Sequence, residues 1–77
     1  MKNYLEFIES NHTIMLGKPV IKGTRLTTEL ILRKLSQGAT FEDLVEMYPD
    51  FNKAQYQAVL EYAADVLANE EILESVD

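Results

Sequence analysis

The 77-residue chain has no cysteine and no tryptophan, a single histidine, three glycines and two prolines. Without cysteine it can form neither disulfides nor thiolate metal sites, and a reducing compartment suits it. His12 alone cannot build an imidazole-based metal site. There is no internal repeat, low-complexity tract or linker, and hydrophobic residues at 47% are too many for a disordered chain. No apolar run approaches the ~20 residues that cross a bilayer. The opening MKNYLEFIESN has acids inside its apolar run and lacks signal-peptide architecture. One small cytoplasmic domain is expected, with no membrane association and no cofactor. Its core is marginal, because a chain of this size buries only ~60% of its unfolded surface.

Positive charge is scarce overall but unevenly so. The net charge is −6. Residues 1–41 carry six cations (Lys2, Lys18, Lys22, Arg25, Arg33, Lys34) against three acids (Glu6, Glu9, Glu29), a net +3. Residues 42–77 carry Lys53 against ten acids, a net −9. Such a split fits either two surfaces with different partners or two solvated helical faces.

Residues 3–10 (NYLEFIES) have apolar positions 4, 5 and 8, the pattern of a short helical turn. Thr13–Leu16 and Pro19–Leu26 then form two β-compatible runs, and Gly17-Lys18 between them has the chemistry of a two-residue hairpin loop. Pro19 lacks an N–H and belongs at a strand's first residue or edge. Gly23 ends or bulges the second strand. From Thr27 the apolar period changes to about 3.6. Thr27 or Thr28 caps a first helix containing Leu30, Ile31 and Leu35, and Gly38 sits at its left-handed stop. Thr40 with Asp43 opens a second helix, whose Phe41, Leu44, Val45 and Tyr48 share one face before Pro49 ends it. Asn52 with Gln55 opens a third, with Tyr56, Val59, Leu60, Ala63, Ala64 and Leu67 as its stripe. The expected fold is mainly α: a short N-terminal β-hairpin over 13–26, a trihelical helix-turn-helix unit over 27–68, and an acidic tail or helix extension over 69–77.

Catalytic chemistry is sparse. Gly17 and Gly23 are separated by five residues and Thr24 follows directly, whereas a phosphate-binding P-loop needs four residues and a following lysine. Glu42, Asp43 and Glu46 fall on the polar face of the second helix and read as a solvated face rather than a metal or acid–base set. The chain is expected not to be an enzyme. Between Lys18 and Lys34 there are five cations and one acid, a density that can neutralise phosphates. Lys18, Lys22, Arg25 and Arg33, with Lys53 and Gln55 at the start of the third helix, are the candidate nucleic-acid contacts, Gln55 because its amide can read adenine. Three of these have a plain reading as well. Lys18 is a turn residue, Gln55 is helix surface, and Arg25 could pair with Glu29. Acids Glu61 and Asp65 further along the third helix would be repelled by phosphate, so a symmetric homodimer is expected to double the usable contacts.

The segment GKPVIKGTR and the downstream QGATFEDLVEMYPDFNKAQYQAVLEYAA together resemble a small prokaryotic family, domain of unknown function 433. The matching positions are Gly17, Pro19, Ile21, Gly23, Thr24 and Arg25, then Gly38, Thr40, Glu42, Asp43, Leu44, Tyr48 and Pro49. Leu26-Thr27 replaces the isoleucine–proline pair frequent in that family. The resemblance implies a hairpin followed by a homeodomain-like three-helix fold, and a VapB-like antitoxin that neutralises a PIN-like ribonuclease toxin and binds operator DNA. On that reading the acidic tail faces the toxin, anchored by Ile72, Leu73 and Val76. The alternatives are a stand-alone DNA-binding regulator and an interaction module that dimerises through its hairpin.

Overall fold

A computed structural model describes residues 4–13 and 15–69. Two strands, β1 (Ile8–Glu9) and β2 (Val20–Ile21), precede three helices: α1 (Thr28–Ser36), α2 (Phe41–Met47) and α3 (Lys53–Ala68). A single 3-10 turn lies at Tyr4–Glu6, and Met15–Gly17 forms a tight turn with Leu16 and Gly17 at positive φ. The expected mainly helical chain with a short antiparallel hairpin is present. Among the described residues no helix is long and apolar enough to cross a membrane.

The hairpin has a different first strand from the expected one. β2 pairs with β1 in the register Ile8↔Ile21 and Glu9↔Val20, so residues 10–19 form the connection and Thr13–Leu16 is not a strand. Burial decides the choice of partner. Ile8 and Ile21 face each other in the core, whereas Leu16 is 92% exposed with its backbone in the left-handed region (φ 59°, ψ 31°). Pairing Thr13–Leu16 with β2 would have left Ile8 outside. Thr13 and Leu16, at the two ends of that run, are both exposed, so the run's β-compatible composition does not draw these residues into the sheet.

The segment after β2 returns along the strand's other side. Ile21 N–H donates to Leu26 O (2.9 Å), and Thr28 N–H donates to Pro19 O (2.9 Å). The reversal is made by Gly23 in the left-handed region (φ 79°) and by the Thr24 hydroxyl. That hydroxyl donates to Ile21 O at 2.8 Å and accepts from Leu26 N–H at 3.0 Å. Only glycine takes the left-handed conformation without a Cβ penalty, and a threonine hydroxyl can satisfy the tight turn's backbone locally.

Each helix begins where its cap residues stand. Thr27 Oγ1 accepts from Leu30 N–H at 2.9 Å. Thr40 and Asp43 form a reciprocal box (2.9 and 3.1 Å), as do Asn52 and Gln55 (3.0 and 2.8 Å). Gly38 (φ 102°) follows the α1 C-cap Gln37, and its neighbour Ala39 N–H reaches back to Lys34 O. α2 ends at Met47, two residues before Pro49.

The core gathers Ile8, Ile21, Ile31, Leu44, Phe51, Ala58 and Val59. Phe41, Phe51 and Tyr56 meet with ring centroids 5.1 to 6.3 Å apart where α2 turns into α3. Tyr4 anchors the N-terminal turn on α3, its ring edge-on to Tyr62 at 5.6 Å. The Tyr4 phenol also hydrogen-bonds the Asp65 carboxylate, which holds its pKa above the ordinary 10.0. α3 buries Ala58 and Val59. The expected stripe on this helix is therefore divided: Val59 is inside, whereas Leu60 (40%) and Leu67 (61%) are exposed, as is Ala64 between them.

Leu44 is fully buried, so Leu44→Ala should destabilise the fold by about 2–5 kcal/mol, enough to unfold much of so small a domain. Leu16→Ala, at an exposed position, should stay within about 0.5 kcal/mol of the parent. Urea titration followed by circular dichroism reads both, and equal losses would contradict this core assignment.

Candidate functional site

The turn that carries Gly23 and Thr24 places Arg25 at the surface between β2 and α1. There it meets the outer face of α1. Lys18, Arg25, Thr27, Glu29, Leu30 and Arg33 line one concavity of about 280 Å³. A neighbouring concavity of about 140 Å³ runs on from Leu30 and Arg33 to Lys34 and Gln37. Beyond Arg25 in the other direction lies a further hollow with Gly23, Thr24 and Glu9.

Glu29 organises this surface. Its Oε1 accepts from Lys18 Nζ at 3.1 Å and its Oε2 from Arg33 Nη2 at 3.2 Å. The two hydrogen bonds and the two positive charges hold the Glu29 carboxyl below its ordinary value of 4.5. The Arg33 pair follows from i,i+4 spacing on one helix and is legible in the sequence. The Lys18 pair spans eleven residues and exists only because the hairpin connection lies across the start of α1. With both carboxylate oxygens engaged, Glu29 is not paired with Arg25, which forms no ion pair among the described residues. Lys22 is exposed, its backbone N–H donating to Phe7 O at 2.8 Å.

The other two candidate nucleic-acid residues lie elsewhere and are engaged in structure. Lys53 Nζ sits 4.8 Å from the centroid of the Phe41 ring, a cation–π contact. Gln55 Oε1 accepts the Asn52 N–H in the α3 capping box. Gln55 also lines an apolar groove of about 260 Å³, formed where Thr24 and Leu26 pass Met47, Tyr48, Pro49 and Phe51. This groove joins the two halves of the sequence pattern that carried the family resemblance. Its signal in the sequence was the two motifs themselves; their meeting point was not legible. Of the six candidates, the structure brings together Lys18, Arg25 and Arg33, and adds Lys34, which sequence reasoning passed over.

The outward side of α3 has a different character. Exposed Leu60, Ala64 and Leu67 recur at i, i+4, i+7, with the carboxylates Glu61 and Asp65 on the same helix. The tail anchors Ile72, Leu73 and Val76 lie outside the described residues. His12 is exposed in the hairpin connection, and among the described residues no group of three or more His, Asp or Glu side chains is placed to hold a metal.

A family model described as protein of unknown function (DUF433) matches residues 8–63, more than half of the chain. No curated protein and no solved structure matches it.

The Glu29 geometry has a pH signature. Its folded-state pKa is depressed, so the stabilisation it brings is complete above the ordinary carboxylate value and is lost as pH falls through the lowered folded value. Wild type should therefore melt slightly above Glu29→Gln at pH 7 and low salt, and the gap should close toward pH 3. The gap stays small because all three side chains are more than half exposed and solvent-screened. Thermal melts of the two proteins across that range check it, and a gap that widened on acidification would refute the assignment.

Proposed function

We propose that the chain, which belongs to the DUF433 family of proteins of unknown function, is a non-enzymatic binding module of the antitoxin type. In this role it captures a PIN-like ribonuclease with its acidic half and contacts nucleic acid with its basic half. The observation that carries the reading is the outer side of α3. Leu60, Ala64 and Leu67 present apolar surface beside the exposed Asp65 and the half-buried Glu61, and the chain continues into EEILESVD. A nuclease surface built to hold RNA is basic, and an acidic surface with apolar anchors complements it in both charge and burial. In a domain with only one small core, Leu60 and Leu67 are apolar area available for a partner. The same side of α3 suits pairing of two copies, which would double the cationic surface presented to a duplex.

A stand-alone nucleic-acid-binding regulator is the second reading, favoured by the cluster of Lys18, Arg25, Arg33 and Lys34 around α1. The two readings separate in one experiment. Co-expressed with the PIN-like nuclease of a neighbouring reading frame, the full chain should rescue growth. A chain lacking residues 69–77 should retain its melting transition and lose the rescue. Rescue by the truncated chain at full-length levels would remove the toxin-facing role from the tail and its Ile72, Leu73 and Val76.

A further inference from the structure

We infer that the duplex-contacting surface of this domain is the outer face of α1, and that it holds the phosphate backbone without reading bases. The inference rests on the nucleic-acid half of the reading above and specifies its site. A trihelical unit of this kind would ordinarily be expected to present its last helix to a groove. Here α3 is poorly equipped for that. Its one cation, Lys53, lies over the Phe41 ring, and the Gln55 amide oxygen is bound in the helix cap. Its exposed residues include Leu60, Ala64 and Asp65, which offer apolar surface and a charge that phosphate repels, with the half-buried Glu61 adding a second acid beside them.

The α1 face differs in every respect. Lys18, Arg25 and Arg33 share one concavity, and Arg33 carries that surface on to Lys34. Glu29 is the single acid lining these two concavities, and Glu9 lies in the next hollow beyond Arg25, so the four cations keep a net charge of about +2 to +3. Lys18 and Arg33 are held to Glu29 at 3.1 and 3.2 Å, which restrains two long side chains before any ligand arrives. Arg25 stands beside them without an ion pair among the described residues, its planar guanidinium able to hold one phosphate through two N–H groups. The hollow, about 280 Å³ with Leu30 and Thr27 in its wall, can seat a phosphate and its sugar. It offers no asparagine or glutamine near its centre for an adenine edge, Gln37 lying at the far end, and its arginines, which can also pair with a guanine edge, are assigned to phosphate. Contacts of this kind position a protein on a duplex and carry no sequence information. Glu29 also competes with phosphate for Lys18 and Arg33, so it limits affinity while it orders the cations.

The test is fluorescence anisotropy of the full chain with labelled 20-base-pair DNA and RNA duplexes of matched sequence, a scrambled DNA duplex, and polyglutamate as a non-nucleic polyanion. With about four phosphate contacts, affinity should fall roughly 100-fold between 50 and 200 mM salt. Arg25→Ala/Arg33→Ala should cut that salt effect to roughly 10-fold and weaken binding at 50 mM. Lys53→Ala/Gln55→Ala should leave affinity within about 2-fold, and Glu29→Gln should tighten it, because phosphate then meets no competitor. The scrambled duplex should bind within about 3-fold of the first. Binding to DNA at least as tight as to RNA is expected, and a clear preference for RNA would overturn a DNA duplex as the ligand; the variants, not this preference, locate the ligand on α1. The inference is overturned if the α3 pair abolishes binding and the α1 pair does not. It is equally overturned if scrambling costs 100-fold, if polyglutamate binds as tightly, or if nothing binds at 50 mM salt. Growth rescue by the arginine variants reads the toxin-facing role separately, since neither arginine lies on α3.

Discussion

Two backbone ladders clasp Val20–Ile21 from opposite sides, and the rest of the molecule is arranged around that clasp. On one side β1 supplies the Ile8 and Glu9 pairing, extended by Lys22 N–H to Phe7 O at 2.8 Å. On the other, Leu26 O and Thr28 N–H bind Ile21 and Pro19. A two-stranded hairpin of this length would be marginal in water. It persists because Val20 and Ile21 are almost completely buried and because both ladders lead directly into packed elements, the N-terminal turn and α1. The clasp also sets where charge appears. It lays the connection carrying Lys18 against Glu29 of α1, and it turns the chain so that Arg25 emerges beside them.

The segment Gly17–Arg25 thus owes its composition to backbone geometry more than to ligand chemistry. Pro19 gives no N–H, yet its carbonyl is the acceptor that seats Thr28 at the start of α1. Gly23 supplies the left-handed residue, and the Thr24 hydroxyl binds both sides of the turn. What remains outward from this stretch is a set of cations: Lys18, Lys22 and Arg25.

The helices were legible because their signals are local. Thr27, Thr40–Asp43, Asn52–Gln55, Gly38 and Pro49 each act on backbone groups within a few residues, so the sequence marks all three helix starts and the ends of α1 and α2. The first strand was not legible, since Ile8 and Thr13–Leu16 are both plausible partners for Val20–Ile21 and only burial against Ile31, Leu44 and Val59 separates them. The same limit applied to the candidate site. The density of cations between Lys18 and Lys34 could be counted, but the grouping that leaves Lys53 and Gln55 on structural duty depends on the Phe41 ring and a capping box. A residue type suited to nucleic acid is equally suited to closing a helix, and three-dimensional neighbours decide between the two uses. On α3 the periodicity put Leu60, Ala64 and Leu67 in one stripe with Val59, because a stripe of alternating depth and a stripe buried throughout have the same spacing.

That divided stripe bears on how so small a domain could manage two kinds of partner. Its cations lie around the start of α1, where the clasp and Glu29 order them, while its exposed leucines and carboxylates lie along α3. α1 packs on α3, and Ile31 and Val59 belong to one buried cluster, so the two surfaces share a core without sharing residues. A ligand on either face can alter the other only through that core or through bulk charge. Bulk charge acts over about one Debye length, ~8 Å at physiological salt. The core is close-packed and shifts little. On the proposed function, the two faces should therefore bind additively at physiological salt, with interference appearing only when screening is removed. Any stronger coupling would have to come from pairing of chains, in which one α3 face brings a second α1 surface to the same duplex.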